Sequence, residues 1–112
     1  MASNGIERLA VTRLSSTVAY GSSGTTAFTS TDYYLVSVIA TNTTAADAEI
    51  YIYVLPLGAT TESGYGLIAY KLPVPAYNSY ETFRFGVNPT DVIKVAGPAG
   101  VAFYVQGIDQ TA

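Results

Sequence analysis

Gly, Pro, Asn, Asp and Ser recur at short intervals along the whole chain, and the runs between them are rich in Val, Ile, Tyr, Phe and Thr. Runs of about five to nine residues are too short for independent helices, while β-branched and aromatic side chains suit a pleated, half-buried surface. This spacing is the signature of an antiparallel sandwich or barrel. Eight strands are expected: 6–14, 17–21, 33–42, 48–55, 66–72, 80–87, 91–96 and 101–108. Residues 21–31 read as a loop or a weak edge strand, and 58–64 as a loop. Pro73 and Pro75 mark a crossover, because proline cannot donate to a central ladder.

With 112 residues the chain fits one domain. The expectation is a single all-β unit over 1–112, an antiparallel β-sandwich of jelly-roll or Ig-like type, with an N-terminal strand or arm over about residues 1–22. Hydrophobic residues make up 49% of the chain and charged ones 12%. A chain so apolar repays its conformational entropy and folds, which excludes intrinsic disorder. Its longest apolar runs fall far short of the roughly 18 residues a membrane helix needs, so no membrane partner is expected. The first residues, Met-Ala-Ser-Asn-Gly-Ile-Glu-Arg, lack the basic start and apolar centre of a secretory signal, which points to assembly in a cytoplasm. The net charge is −3, and Arg8, Arg13, Lys71, Arg84 and Lys94 are scattered singly, so nucleic acid is not an expected partner either.

Period-2 alternation sorts the strands into faces. Ile50, Ile52 and Val54 point one way, and Glu49, Tyr51, Tyr53 and Leu55 the other. In the run after Ser79, Phe83, Phe85 and Val87 are assigned to the core, and Tyr80, Thr82, Arg84 and Gly86 to the opposite face. Residues 33–42 are apolar on both sides: Tyr34, Val36, Val38 and Ala40 on one, and Tyr33, Leu35 and Ile39 on the other. A strand apolar on both faces is buried on both. The second cover comes either from another chain or from the loops at 21–31 and 58–64, and the first option makes Tyr33, Leu35, Ile39, Tyr51, Tyr53, Leu55 and Tyr80 candidate interface residues. Tyrosine suits that role, being amphipathic and poor in side-chain entropy. The ten tyrosines also include ordinary strand residues.

Catalytic chemistry has little to work with. The chain has no His and no Cys, which removes Ser-His-Asp and Cys-His systems, His-based and thiolate metal sites, and disulfides. The carboxylates Glu7, Asp32, Asp47, Glu49, Glu62, Glu81, Asp91 and Asp109 fall mostly at expected turns or strand ends. Glu81 and Asp91 are the candidate pair for acid–base work, and Asp32, Asp47 and Glu49 the candidate set for calcium, without the spacing of a calcium loop. No catalytic residue, cofactor or metal is assigned, and the chain is expected not to be an enzyme. Gly97-Pro98-Ala99-Gly100 and Gly21-Ser22-Ser23-Gly24 read as turns, since neither opens a helix or carries a phosphate-binding Lys. Asn42-Thr43-Thr44 matches the N-glycosylation pattern, a match frequent by chance.

Residues 35–44 (Leu-Val-Ser-Val-Ile-Ala-Thr-Asn-Thr-Thr) and 48–56 (Ala-Glu-Ile-Tyr-Ile-Tyr-Val-Leu-Pro) form a hairpin pattern that resembles one in small structural proteins of tailed bacteriophages. So does the order that follows: Leu72-Pro73-Val74-Pro75, Glu81-Thr82-Phe83, Pro89 to Ile93, and Val105 to Ile108. The likeness spans about residues 33–110 and rests on strands and turns, not on invariant chemistry. It implies a sandwich or jelly-roll virion protein, used as capsid decoration (cement) or as a tail or fibre-associated module with possible host-glycan recognition. Because no separate attachment segment or coiled coil precedes the sandwich, the expectation is a decoration protein in the virion. Its partners would be the major capsid protein or tail proteins, and copies of itself, for instance as a trimer.

Overall fold

The computed structural model describes residues 5–21, 24–56 and 66–110. Among these, the regular structure is nine β-strands: β1 (Glu7–Arg13), β2 (Thr25–Thr29), β3 (Tyr34–Asn42), β4 (Ala48–Leu55), β5 (Leu67–Val74), β6 (Ser79–Glu81), β7 (Phe85–Val87), β8 (Val92–Ala96) and β9 (Val101–Asp109). One sheet runs β1-β9-β3-β6, with β7 also paired to β3, and the other runs β2-β8-β4-β5. The antiparallel pairs β1 with β9, β2 with β8, β3 with β6 and β7, and β4 with β5 nest one inside the next. The chain is thus one long hairpin folded back on itself. It is rolled so that β3 also meets β9 and β4 also meets β8. Counting β6 and β7 as one interrupted strand, this is an eight-stranded jelly roll, which decides between the two sandwich types expected.

Hydrophobic alternation explains the core. Val36, Val38 and Ala40 of β3, Ile50 and Ile52 of β4, Ile93 and Val95 of β8, and Val101, Phe103 and Val105 of β9 are all fully buried between the sheets. Removing such side chains from water at about 25 cal/mol per Å² is the main favourable term in folding.

Four local expectations need correction. The hairpin expected between residues 35–44 and 48–56 is not formed: β3 lies in one sheet and β4 in the other, and each finds its partner later in the chain, so 43–47 carries the chain between sheets. Residues 17–21 form no strand, and only Val18 bridges, to Gly97; the edge strand is β2, in the segment read as loop or weak edge. Of the two prolines expected to mark a crossover, Pro75 lies in the link from β5 to β6 that crosses between sheets, but Pro73 lies inside β5. It is tolerated there because β5 is an edge strand, where a missing N–H breaks no shared ladder. The expected strand 80–87 is split into β6 and β7, and the split slips the inside–outside phase. Tyr80 opposes the buried Ala40 and packs against the core, whereas Phe83, in the break, is 66% exposed. The break is held by Thr82, whose N–H donates to the Val38 carbonyl at 3.0 Å and whose Oγ1 accepts from the Val38 N–H at 2.9 Å. A side chain replaces one rung of the ladder, and the extra residue reverses the faces beyond it. The loop expected at 58–64 lies outside the described residues.

At the end of β3, Asn42 is completely buried, and its side chain ties that strand to the β3–β4 turn and to the end of β5. Its Nδ2 donates to the carbonyls of Ala46 at 2.7 Å, Val74 at 3.1 Å and Pro75 at 3.4 Å, and its Oδ1 accepts from the Thr44 N–H at 3.0 Å and the Thr44 hydroxyl at 2.7 Å. Only a carboxamide presents donors and acceptor in that division, and Gln would carry it one methylene further from the backbone. Asn42→Ala leaves buried carbonyls unpaired and is expected to cost about 3 kcal/mol, measurable as a lowered urea midpoint at unchanged m-value. Asn42→Asp is expected to be at least as damaging, because a carboxylate cannot donate to three carbonyls.

Candidate functional site

The two outer sheet faces carry the surface chemistry. On the four-stranded sheet, Tyr51 and Tyr53 of β4 project away from the core, as alternation requires. Opposite Tyr51 the β4–β5 register slips, so that Tyr70 and Lys71 together face one residue, and Lys71 adopts φ 49°. This bulge aims Tyr70 at the same patch. Tyr20, from the segment after β1, completes it. Its ring stacks on Tyr51 at a centroid distance of 4.9 Å and meets Tyr53 at 4.9 Å and Tyr70 at 5.4 Å edge-on, while Tyr51 and Tyr70 meet at 5.5 Å. These offset and edge-to-face contacts are the favourable aromatic geometries. The Lys71 ammonium lies 5.9 Å from the Tyr70 ring centre.

Within this cluster Tyr53 is fully buried by its own chain. The Gly21 N–H donates to its hydroxyl at 3.2 Å, and the hydroxyl donates to the Gly21 carbonyl at 2.5 Å. A Cβ on Gly24 would stand 2.0 Å from that oxygen, so glycine is required for the chain to pass. Leu55 is buried as well. For Tyr53 the chain's own Tyr20, Gly21 and Gly24 supply the cover, and Tyr53 and Leu55 are both buried in this fold.

On the five-stranded sheet, Leu35 and Ile39 of β3 face outward, half-buried. Registers place Ile39 beside Tyr104 of β9, and Tyr104 beside Val11 of β1. Val11 is 61% exposed and Tyr104 37%. A shallow cavity of about 140 Å³ opens on the same face, lined among others by Ile6, Leu35, Ser37, Glu81, Arg84 and Gln106. The Gln106 Nε2 donates to the Ser37 hydroxyl at 3.1 Å and to Glu81 Oε2 at 3.4 Å.

The seven candidate interface residues therefore do not form one patch. Leu35 and Ile39 share one outer face, Tyr51, Tyr53 and Leu55 lie on the other sheet, Tyr80 faces the core, and Tyr33 is exposed just before β3. Sequence reasoning missed Val11, Tyr20, Tyr70 and Tyr104. Val11 and Tyr104 were legible as outward residues of their strands, but Tyr20 and Tyr70 depend on a non-regular segment and a bulge.

Two of the acidic residues are engaged in holding turns. Asp47 Oδ1 accepts from the Ala76 N–H at 3.1 Å, and Asp91 Oδ2 closes its own turn by accepting from the Asn88 N–H at 2.9 Å. Among the described residues no three acidic side chains converge as a metal site would require. Tyr34, whose ring meets Phe28 edge-on at 5.8 Å, has its phenol pKa raised by desolvation and then by the charges of Asp109, Glu7 and Asp32.

Neither a family model nor a curated protein matches this chain. Among solved structures, the one titled "Structure of infectious bursal disease virus Gx strain" is similar, with 9% sequence identity, a TM-score of 0.47, and coverage of 96% of this chain and 33% of that one. The chain thus spans about a third of the length of that structure's chain. The strand pairings define the molecule as a jelly-roll β-sandwich with an apolar row on one outer face and a tyrosine cluster on the other.

Tyr53→Phe is expected to lose about 1 kcal/mol through its two hydrogen bonds to Gly21, and Gly24→Ala more, both read by thermal unfolding. Because the Tyr34 phenol titrates above its usual 10.0, the unfolded chain ionises first as pH rises. The stability Tyr34 contributes is complete below pH 10 and is lost above it, so Tyr34→Phe should flatten the alkaline fall in Tm.

Proposed function

We propose that this chain is a virion structural protein acting without catalysis, specifically a capsid decoration protein of a tailed bacteriophage. The observation that carries this reading is the exterior: Ile6, Val11, Tyr33, Leu67, Tyr70, Tyr77, Phe83 and Tyr104 are large apolar or aromatic side chains left exposed on a small sandwich. Val11 and Tyr104 stand side by side on one outer face, continuous with Ile39, and contiguous apolar surface of that kind marks interaction sites. The resemblance of residues 33–110 to phage virion proteins supplies the setting. A rigid sandwich that binds the assembled shell better than free subunits stabilises the shell by mass action.

The test uses particles produced with and without the gene. Particles lacking the chain are expected to assemble but to release their genome at lower temperature, and purified protein added back should restore resistance. Gold-labelled chain should sit on the head. Label confined to the tail would favour a fibre-associated module, with a glycan array then testing host recognition. Normal particles that contain no copy of the chain would overturn the virion reading.

A further inference from the structure

We infer that the outer face of the five-stranded sheet docks a second copy of this chain, face to face, about a two-fold axis parallel to the strands. Registers across the sheet build a row Val11–Tyr104–Ile39–Glu81, running from β1 through β9 and β3 to β6. On one side of it lies the row Arg8–Gln106–Ser37, and on the other Arg13–Ala102–Thr41–Ser79. The centre of the face is apolar, and charge is segregated to its margins, with two arginines on β1 and a carboxylate on β6.

That segregation selects the occupant and the orientation. A two-fold parallel to the strands lays β1 of each copy over β6 of the other and keeps the rows in line. Tyr104 then covers the partner copy's Ile39, and Glu81 falls between Arg8 and Arg13 of the facing chain, twice per dimer. A two-fold perpendicular to the strands would instead stack the two arginine pairs on each other. Arg84, beside the cavity in the β6–β7 break, is the one charge that opposes the chosen arrangement, since it approaches the facing Arg8. Like charges at an interface cost affinity and opposite charges set register.

Edge-to-edge association is disfavoured. β6 and β7 are three residues each, β5 carries Pro73 and the Lys71 bulge, and the β1 and β2 ladders are interrupted by register shifts at Leu9 and Ala27. Short, bulged and proline-bearing edges do not accept added strands. Association therefore runs through faces, and isologous pairing is the commonest closed form.

The absence of cysteine makes the test clean. Across packed faces the backbones stand about 10 Å apart, beyond the roughly 7 Å a disulfide spans, so the probe is a bis-maleimide of about that length. When full-length V11C and E81C chains are mixed, it is expected to link one of each into a covalent dimer, and to link V11C alone not at all. In sedimentation of otherwise unaltered chain, Val11→Glu should raise the dimer Kd about 30-fold or more, Glu81→Arg should weaken it, and Arg84→Glu should tighten it. A monomeric chain at high concentration, or bridging by V11C alone, would overturn the proposal. These measurements need only purified protein, so their failure and that of the particle experiment are separate results.

Discussion

Asn42 is the constraint on which the remaining architecture depends. It sits where the first sheet hands the chain to the second, and its amide fastens the β3–β4 turn to the end of β5 and the start of the return toward β6. The innermost pair of the roll, β4 with β5, is therefore the one this amide fixes in place. Van der Waals packing of Val and Ile tolerates slippage. A five-bonded buried amide does not, because each displaced bond leaves a polar group without water or partner.

Most of the fold was legible because most of it obeys one rule. β3, β4, β8 and β9 alternate cleanly, and their inner residues are those that period 2 assigns to the core. Where the rule is broken by a side chain acting on the backbone, sequence reasoning failed. Thr82 replaces a rung and reverses Tyr80 and Phe83, and the Lys71 bulge turns Tyr70 outward. Tyr53 was legible as outward from β4, but not as covered. Its lid is the irregular stretch around Tyr20 and Gly21, which carries no periodic signal. Likewise Pro73 has a clear local meaning, yet whether it ends a strand or borders a sheet depends on long-range order.

The two outer faces differ in kind. The tyrosine cluster is already internally satisfied, ring against ring, and gains rigidity from the Gly21 contacts. The Val11–Tyr104–Ile39 row has no such partner within its own chain among the described contacts, and it is framed by separated charge. A molecule with one self-sufficient aromatic face and one self-complementary apolar face presents two distinct surfaces to its surroundings, on opposite sides of a single core.

The burial of Asn42 has a practical corollary. Asn42-Thr43-Thr44 has the form of a sugar-acceptor site, yet in the folded chain the amide nitrogen is occupied by three carbonyls and closed to solvent. Passage through a eukaryotic secretory pathway would expose the nascent asparagine to oligosaccharide transfer before the roll closes. A glycan attached then has no room inside the sandwich, so the modified asparagine could not take its place in the roll, and production in a host without that machinery avoids the conflict.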